Sequence, residues 1–437
     1  MAKKKKTAGK GLSPAKIRAE DARYLINTYR RPPVVFTHGR GCRVYDSEGR
    51  AYLDFLTGIG VNALGYAHPR LVHVVRREAG RATHISNLFH NPYQGPLARK
   101  LAEWSGLDRA FFTNSGAEAV EGALKIARAY AHAKSANARS PKTRILALTN
   151  SFHGRTFGAV SITHTPKYRE PFAPLVPGVE FVRFNDVADL ESKFGDDVCA
   201  LVVELVQGEG GVYPMSEEFW RRARDLATRH DAALIADEVQ SGLGRTGRAF
   251  AHQKFGSLPD IVTVAKPLAG GLPLGAVLAK EPFASALTVG LHGSTFAGGP
   301  LICAVALEFL RVMEEKDLIK NVRERGAELR AGIEKLMPRF DFIRELRGEG
   351  LMLGIDLSIE GAPFVEEGMR HGLVINCTHD HVLRLLPPFI IGRREVAEFL
   401  KKFETVLARA PKSAGAASAT AQKTNSQPMA LAAVGAL

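Results

Sequence analysis

The sequence predicts an α/β fold: a large domain around a mostly parallel sheet, plus a smaller α+β domain built from both chain ends. Three observations carry this. Between about residues 61 and 300, short apolar runs alternate with helical patterns, as strands and helices alternate around a parallel sheet. The flanking segments instead show short strands broken by Gly and Pro. The length of 437 residues, with 45% hydrophobic and 24% charged positions, is ordinary for a soluble chain of two or three domains.

Residues 1–20 hold seven Lys/Arg against one Glu, including Lys3 to Lys6 in a row, and read as a disordered basic arm. No apolar stretch follows, so no secretory leader is expected. Residues 21–60 form the N-terminal part of the smaller domain. Within them Cys42–Asp46 and Ala51–Phe55 flank Ser47-Glu48-Gly49-Arg50, a hairpin around a Gly-containing turn. The large domain, 61–300, has strand-like runs at Arg144–Leu148, Ala200–Leu205, Ala232–Ala236, Ile261–Val264 and Gly275–Ala279. Helical patterns cover Ala117–His132, Glu217–His230 and Pro300–Glu315. Residues 301–410 return to the smaller domain, with strands expected at Leu351–Leu357 and Leu383–Leu386. Residues 411–437 are rich in Ala, Ser, Thr and Gln and read as a disordered tail.

The net charge is +14. The basic arm carries +6 and the tail +2, which leaves only +6 over the rest, so nucleic acid is not an expected partner. No apolar run approaches the roughly 18 residues of a membrane span. The four cysteines stand at 42, 199, 303 and 377. Their spacing indicates neither a disulfide scaffold nor a metal site, and a reducing cytoplasm fits best.

Ligands of open α/β sheets bind beyond the carboxyl ends of the strands. Three strand-like runs here end in unusual polar residues. One leads into Asp237-Glu238-Val239-Gln240, one into Glu204 and then Gln207-Gly208-Glu209-Gly210-Gly211, and one into Lys266. Asn114-Ser115-Gly116-Ala117-Glu118 opens a long helix. Its free amides suit an anion, although Ser115 or Asn114 also fits as a plain helix cap. A phosphate cradle, a buried acid and a lysine at a strand end are the requirements of pyridoxal phosphate. The lysine carries the cofactor and the acid keeps the ring nitrogen protonated. Phe152 is a candidate to stack on the ring.

These residues lie in stretches that resemble the class III aminotransferases of the fold-type I pyridoxal phosphate enzymes, and within them the acetylornithine aminotransferase branch. The stretches are Ser86–Phe89, Ser115–Ala119, Phe152–Thr156, Gln207–Gly211, Asp237–Gln240 with Gly244–Gly247, Pro259–Ile261, Ala265-Lys266, His292–Phe296 and Arg384–Pro388. The similarity covers about residues 21–405. It implies that Lys266 holds the cofactor and shuttles the proton, that Asp237 pairs with the ring nitrogen and that Gln240 contacts the phenolic oxygen. Gly116 and Ala117 would bind phosphate and Phe152 would stack. Glu238 and Val239 fall among the implied cofactor contacts. Thr295 would reach the phosphate of a second subunit, making the site depend on a homodimer, and Ser294 beside it would touch substrate. Arg155 would take the α-carboxylate of acetylornithine and Arg384 that of glutamate or 2-oxoglutarate, with Glu209 pairing with Arg384 between the two.

Leu205, Pro267, Val120 and Gly299 depart from the residues usual in the family, and none removes a catalytic group. The implied reaction converts N-acetyl-L-ornithine and 2-oxoglutarate to N-acetyl-L-glutamate 5-semialdehyde and glutamate. Ornithine, 4-aminobutyrate and succinyl-diaminopimelate are alternative donors. An inactive homologue acting as a binding protein is the alternative of a different class, and intact Lys266 and Asp237 argue against it.

Overall fold

A computed structural model describes residues 13–134 and 142–410. The tail 411–437 and residues 1–12 of the arm lie outside the described residues. Residues 14–20, expected within a disordered arm, are instead the start of a helix, Pro14–Tyr24. Ser13 caps it by accepting from the Lys16 amide, and Pro14 occupies the first turn, where its missing N–H is harmless. This helix buries none of its residues.

The expected hairpin is one turn of a larger sheet. β1 (Phe36–Arg40), β2 (Arg43–Asp46) and β3 (Ala51–Asp54) form an antiparallel meander. Asp46 shapes the turn after β2, its Oδ1 accepting from the amides of Glu48 and Arg50.

Among the described residues the large sheet has seven strands. In chain order its first three are β4 (Arg109–Thr113), β5 (Arg144–Leu148) and β6 (Val179–Val182), followed by β7 (Val198–Glu204). A small hairpin, β8 (Val206–Gln207) with β9 (Tyr213–Pro214), stands apart. Then come β10 (Ala233–Asp237), β11 (Ile261–Val264) and β12 (Gly275–Ala279). The spatial order is β4-β12-β11-β10-β7-β5-β6, and only β12 runs against its neighbours. Strands β7, β10, β11 and β12 are buried along their whole length. That explains their continuous Val/Ile/Leu/Ala character, since both faces are covered by helices.

A third sheet contains β13 (Ile343–Glu349), β14 (Met352–Leu357), β16 (Asn376–Thr378) and β17 (Val382–Leu385), in the order β13-β14-β17-β16. Between β14 and β16 in sequence, β15 (Leu373–Val374) leaves this sheet and pairs in parallel with β3, Leu373 opposite Leu53. The two ends of the chain therefore share one sheet. The helix Pro300–Glu315, at the expected boundary, packs on the helices Pro69–Ala79 and Gln94–Ser105 of the preceding segment.

Phe55 fastens the ends together. Its ring is fully buried and stacks on Phe399 at 4.1 Å, and Phe399 stacks in turn on Phe403. Its amide donates to Val374 and its carbonyl accepts from Leu386. Phe55→Ala is expected to lower stability by about 3–5 kcal/mol, read as a shift of the denaturant midpoint at constant slope.

Candidate active site

Because β4, β5, β7, β10 and β11 run in one direction, their carboxyl ends meet at one edge of the large sheet. A cavity of about 430 Å³ opens there, within the range of small-ligand and cofactor sites. It is lined by Asn114 to Ala117, Phe152 to Arg155, Glu204, Asp237, Val239, Gln240 and Lys266, among others. Strand direction thus brings together segments about 150 residues apart in sequence.

Asp237, the last residue of β10, is buried and anchored by three donors. Thr263 Oγ1 and the Val239 amide donate to Oδ1, each at 3.0 Å, and His153 Nδ1 donates to Oδ2 at 2.7 Å. Burial opposes a charge on His153, but the hydrogen bond and negative charge of Asp237 overcome it and raise the imidazole pKa. Glu204, the last residue of β7, is the register partner of Asp237 on the neighbouring strand. Its oxygens accept from the amides of Phe152 (3.0 Å) and Gly208 (3.1 Å). Burial is the main reason its pKa rises to about 7, and the charge of Asp237 adds to this against the relief from His153.

Lys266 is fully enclosed, and burial lowers its pKa despite the carboxylates around it. Its amine therefore loses its proton more readily than a surface lysine does. The backbone here is unusual: Lys266 has φ of +34° and is followed by Pro267. A proline disfavours the right-handed helical region for the residue before it, and strain of this kind concentrates at functional sites. Gly60, in a left-handed turn at Thr57–Gly60, lies against the lysine stem.

The helix Gly116–Lys134 points its N-terminus into the cavity. Ser115 Oγ accepts from Glu118, while Glu118 itself binds the amide of Asn114, so Ser115 is a cap. The amides of Gly116 and Ala117 remain at the free end for an anion. A Cβ on Gly116 would lie 2.7 Å from Val239, so only glycine fits this cradle. An anion cradle, a deprotonatable lysine and an anchored carboxylate are the donor set that pyridoxal phosphate needs, and the cavity has room for it. The residues present fit the group.

Phe152 lines the cavity with its ring edge-on to Tyr168. Arg155 is exposed, its guanidinium 3.6 Å from the Tyr168 ring centroid, and it has no ion-pair partner among the described residues. Arg384 and Glu209 stand behind the cavity wall: Nη1 of the fully buried Arg384 meets Glu209 Oε1 at 2.5 Å and Gln240 Oε1 at 3.2 Å. Ser294 accepts from Asn114 Nδ2 at 2.9 Å. Thr295 is exposed and does not line the cavity of its own chain. Glu238, expected among the cofactor contacts, does not line it either. Its buried carboxylate turns away and accepts from Ala251, His252 N and His252 Nδ1. The departures Leu205, Pro267, Val120 and Gly299 are also absent from the lining.

Sequence reasoning passed over the role of His153. Its partner Asp237 lies 84 positions away, so no local spacing marks it.

The class-III aminotransferase family profile matches residues 24–407. The acetylornithine aminotransferase of Methanocaldococcus jannaschii is 44% identical over 386 residues, covering 88% of this chain and 96% of that protein. That of Aquifex aeolicus is 41% identical, covering 88% of this chain and all of its own. Among solved structures, the ornithine aminotransferase of Toxoplasma gondii superposes with a TM-score of 0.87 at 34% identity, covering 91% of this chain and 96% of that one. The acetylornithine aminotransferase of Elizabethkingia anophelis gives 0.80 at 31%, covering 90% and 99%.

The raised pKa of Glu204 has a measurable consequence. Its folded pKa of about 7 lies above the ordinary glutamate value of about 4.5, so the folded state binds more protons in the window between. Stability of the cofactor-free protein should fall as pH rises from about 4.5 to 7, by up to about 3 kcal/mol. Glu204→Gln should remove that fall, seen in denaturant midpoints measured against pH.

Proposed function

The chain belongs to the class III aminotransferases, which work with pyridoxal 5′-phosphate, and from that premise we propose that it moves the terminal amino group of N-acetyl-L-ornithine to 2-oxoglutarate. The supporting observation is the pair of arginines in opposite settings, one exposed on an aromatic face and one buried behind a carboxylate. A donor whose reacting amine is far from its α-carboxylate needs a remote cation. An α-amino acid needs a near one.

The bound cofactor supplies a carbonyl that carries the amino group and a ring that accepts the electron pair released at the reacting carbon. In this reading Lys266 Nζ would hold the cofactor and would move the proton at the reacting carbon. Burial keeps that amine ready to act as a base. Asp237, held by His153 and Thr263, keeps the ring nitrogen protonated. The amides of Gly116 and Ala117 hold the phosphate, Phe152 covers the ring, and Val239 packs beside the cradle. Gln240, its Oε1 occupied by Arg384, would contact the phenolic oxygen through its amide nitrogen. Arg155 orients the donor's α-carboxylate. Glu209 neutralises Arg384 while that donor is bound and releases it for the α-carboxylate of glutamate or 2-oxoglutarate.

The same reading assigns residues 61–300 to the cofactor-bearing domain, and 21–60 with 301–410 to the domain that brings Arg384. It also makes the protein a homodimer. Leu88, Phe89, Val289, Leu291 and Phe296 are exposed apolar side chains on two loops tied together by Asn87, which donates to Ser294 and Ala297. A second copy would cover them, and Thr295 would then face the partner's phosphate, with Ser294 beside the substrate. Cytoplasmic residence fits four free cysteines. No described helix is long and apolar enough to cross a membrane.

A donor screen tests this reading. Cofactor-loaded protein is mixed with acetylornithine, ornithine, 4-aminobutyrate and succinyl-diaminopimelate, and loss of the visible absorbance band is followed for each. Acetylornithine is expected to react fastest. Ornithine is the second reading, supported by the closer superposition on the Toxoplasma enzyme. Arg155→Lys keeps the charge but loses the planar fork. It should slow the acetylornithine half-reaction by roughly one to two orders of magnitude, as for a lost charged hydrogen bond, and spare the glutamate half. Equal losses in both halves would refute the division of labour.

A further inference from the structure

Arg384 is fully buried, and its guanidinium meets three acceptors. Besides Glu209 and Gln240 on Nη1, Nε donates to Asn376 Oδ1 at 3.3 Å. Nη2 has no partner among the described residues. Only Glu209 among the acceptors is charged, and its side chain stays 30% exposed. In the reading above, this carboxylate leaves when a dicarboxylate arrives. A buried cation stripped of its acceptors carries a large desolvation cost, so other groups must hold it through the exchange.

Asn376 and Arg384 are direct partners across the antiparallel pair β16–β17. Residues two apart on a strand share a face. Two positions on from Asn376 stands Thr378, whose Oγ1 donates to the main-chain carbonyl of Glu209 at 2.6 Å. One three-residue strand therefore grips both members of the ion pair, the cation by its side chain and the carboxylate residue by its backbone.

We propose that Asn376 and Thr378 are the positioning residues of the substrate exchange: Asn376 keeps the Arg384 guanidinium oriented while Glu209 is displaced, and Thr378 fixes the main chain about which the Glu209 side chain swings. The neutrality of the amide matters. It offers an acceptor without adding charge, so Arg384 keeps its positive charge for the incoming carboxylate, with Nη2 free to meet it. A carboxylate at position 376, on the same fixed strand, would neutralise Arg384 permanently. The proposal rests on the assignment of Arg384 to the α-carboxylate of the second substrate.

The test is calorimetric titration of the cofactor-loaded protein with glutarate, a five-carbon dicarboxylate without amine or keto group, which reports binding without turnover. Asn376→Asp, nearly identical in shape, is expected to weaken glutarate about tenfold or more, and Asn376→Ser to weaken it less. Glu209→Gln removes the competing carboxylate and should tighten glutarate, but not when combined with Asn376→Asp. Thr378→Val loosens the closed pair and should also shift binding toward tighter. Unaltered affinity in Asn376→Asp, or equal tightening by Glu209→Gln in both backgrounds, overturns the proposal while leaving Arg384 in its role. Intact glutarate binding in Arg384→Gln overturns the assignment of Arg384 itself, which separates the two failures.

Discussion

The site is governed by crowding of charge at the ends of two adjacent strands. Asp237 and Glu204 are register partners on β10 and β7, both buried. Two carboxylates so placed cannot both ionise cheaply away from water. The fold separates them by environment. Among the described residues, Asp237 receives three donors, one of them His153, while Glu204 receives only two backbone amides and has a pKa of about 7. The same burial is thus answered differently on the two strands, by a histidine and two further donors at Asp237 and by a raised pKa at Glu204. The parallel register of β7 and β10 is what makes this possible.

The two arginines are resolved by the same physics on opposite sides of the cavity wall. Arg155 lies over Tyr168 in contact with solvent, so its charge is cheap to maintain and screened. Arg384 is sealed among Glu209, Gln240 and Asn376. A sealed cation acts strongly on whatever reaches it, which is why its nearest acceptor is the carboxylate of Glu209.

Much of this was legible in the sequence, for identifiable reasons. β5, β11, β12 and the helix Pro300–Glu315 lie where the apolar runs and the helical pattern placed them. Fully buried strands advertise themselves as unbroken apolar runs. The convergence of Lys266, Asp237 and Glu204 followed from strand direction alone. Less was visible where function comes from orientation. Glu238 stands beside Asp237 in sequence, yet its carboxylate serves His252 on the far side of the turn. His153 carried no pattern of its own, since its partner lies 84 positions away. Asn376 is tied to Arg384 only by a cross-strand register that no local periodicity reveals. The helix Pro14–Tyr24 was hidden by the arm's charge, although Ser13-Pro14 is an ordinary helix start.

The pairing of β3 with β15 bears on how the protein is made. Leu53 finds its strand partner in Leu373, far along the chain. At ribosomal rates of about 5–20 residues per second, β3 leaves the tunnel tens of seconds before β15 exists. During that interval the meander presents an unpaired strand edge, the kind of surface that invites association with other chains. Phe55, with no Phe399 yet to stack on, remains in water over the same period. The nascent polypeptide is therefore most vulnerable in its first segment and safe only once nearly complete. A ribosome stalled before residue 373 would display a folded centre and an open, sticky beginning.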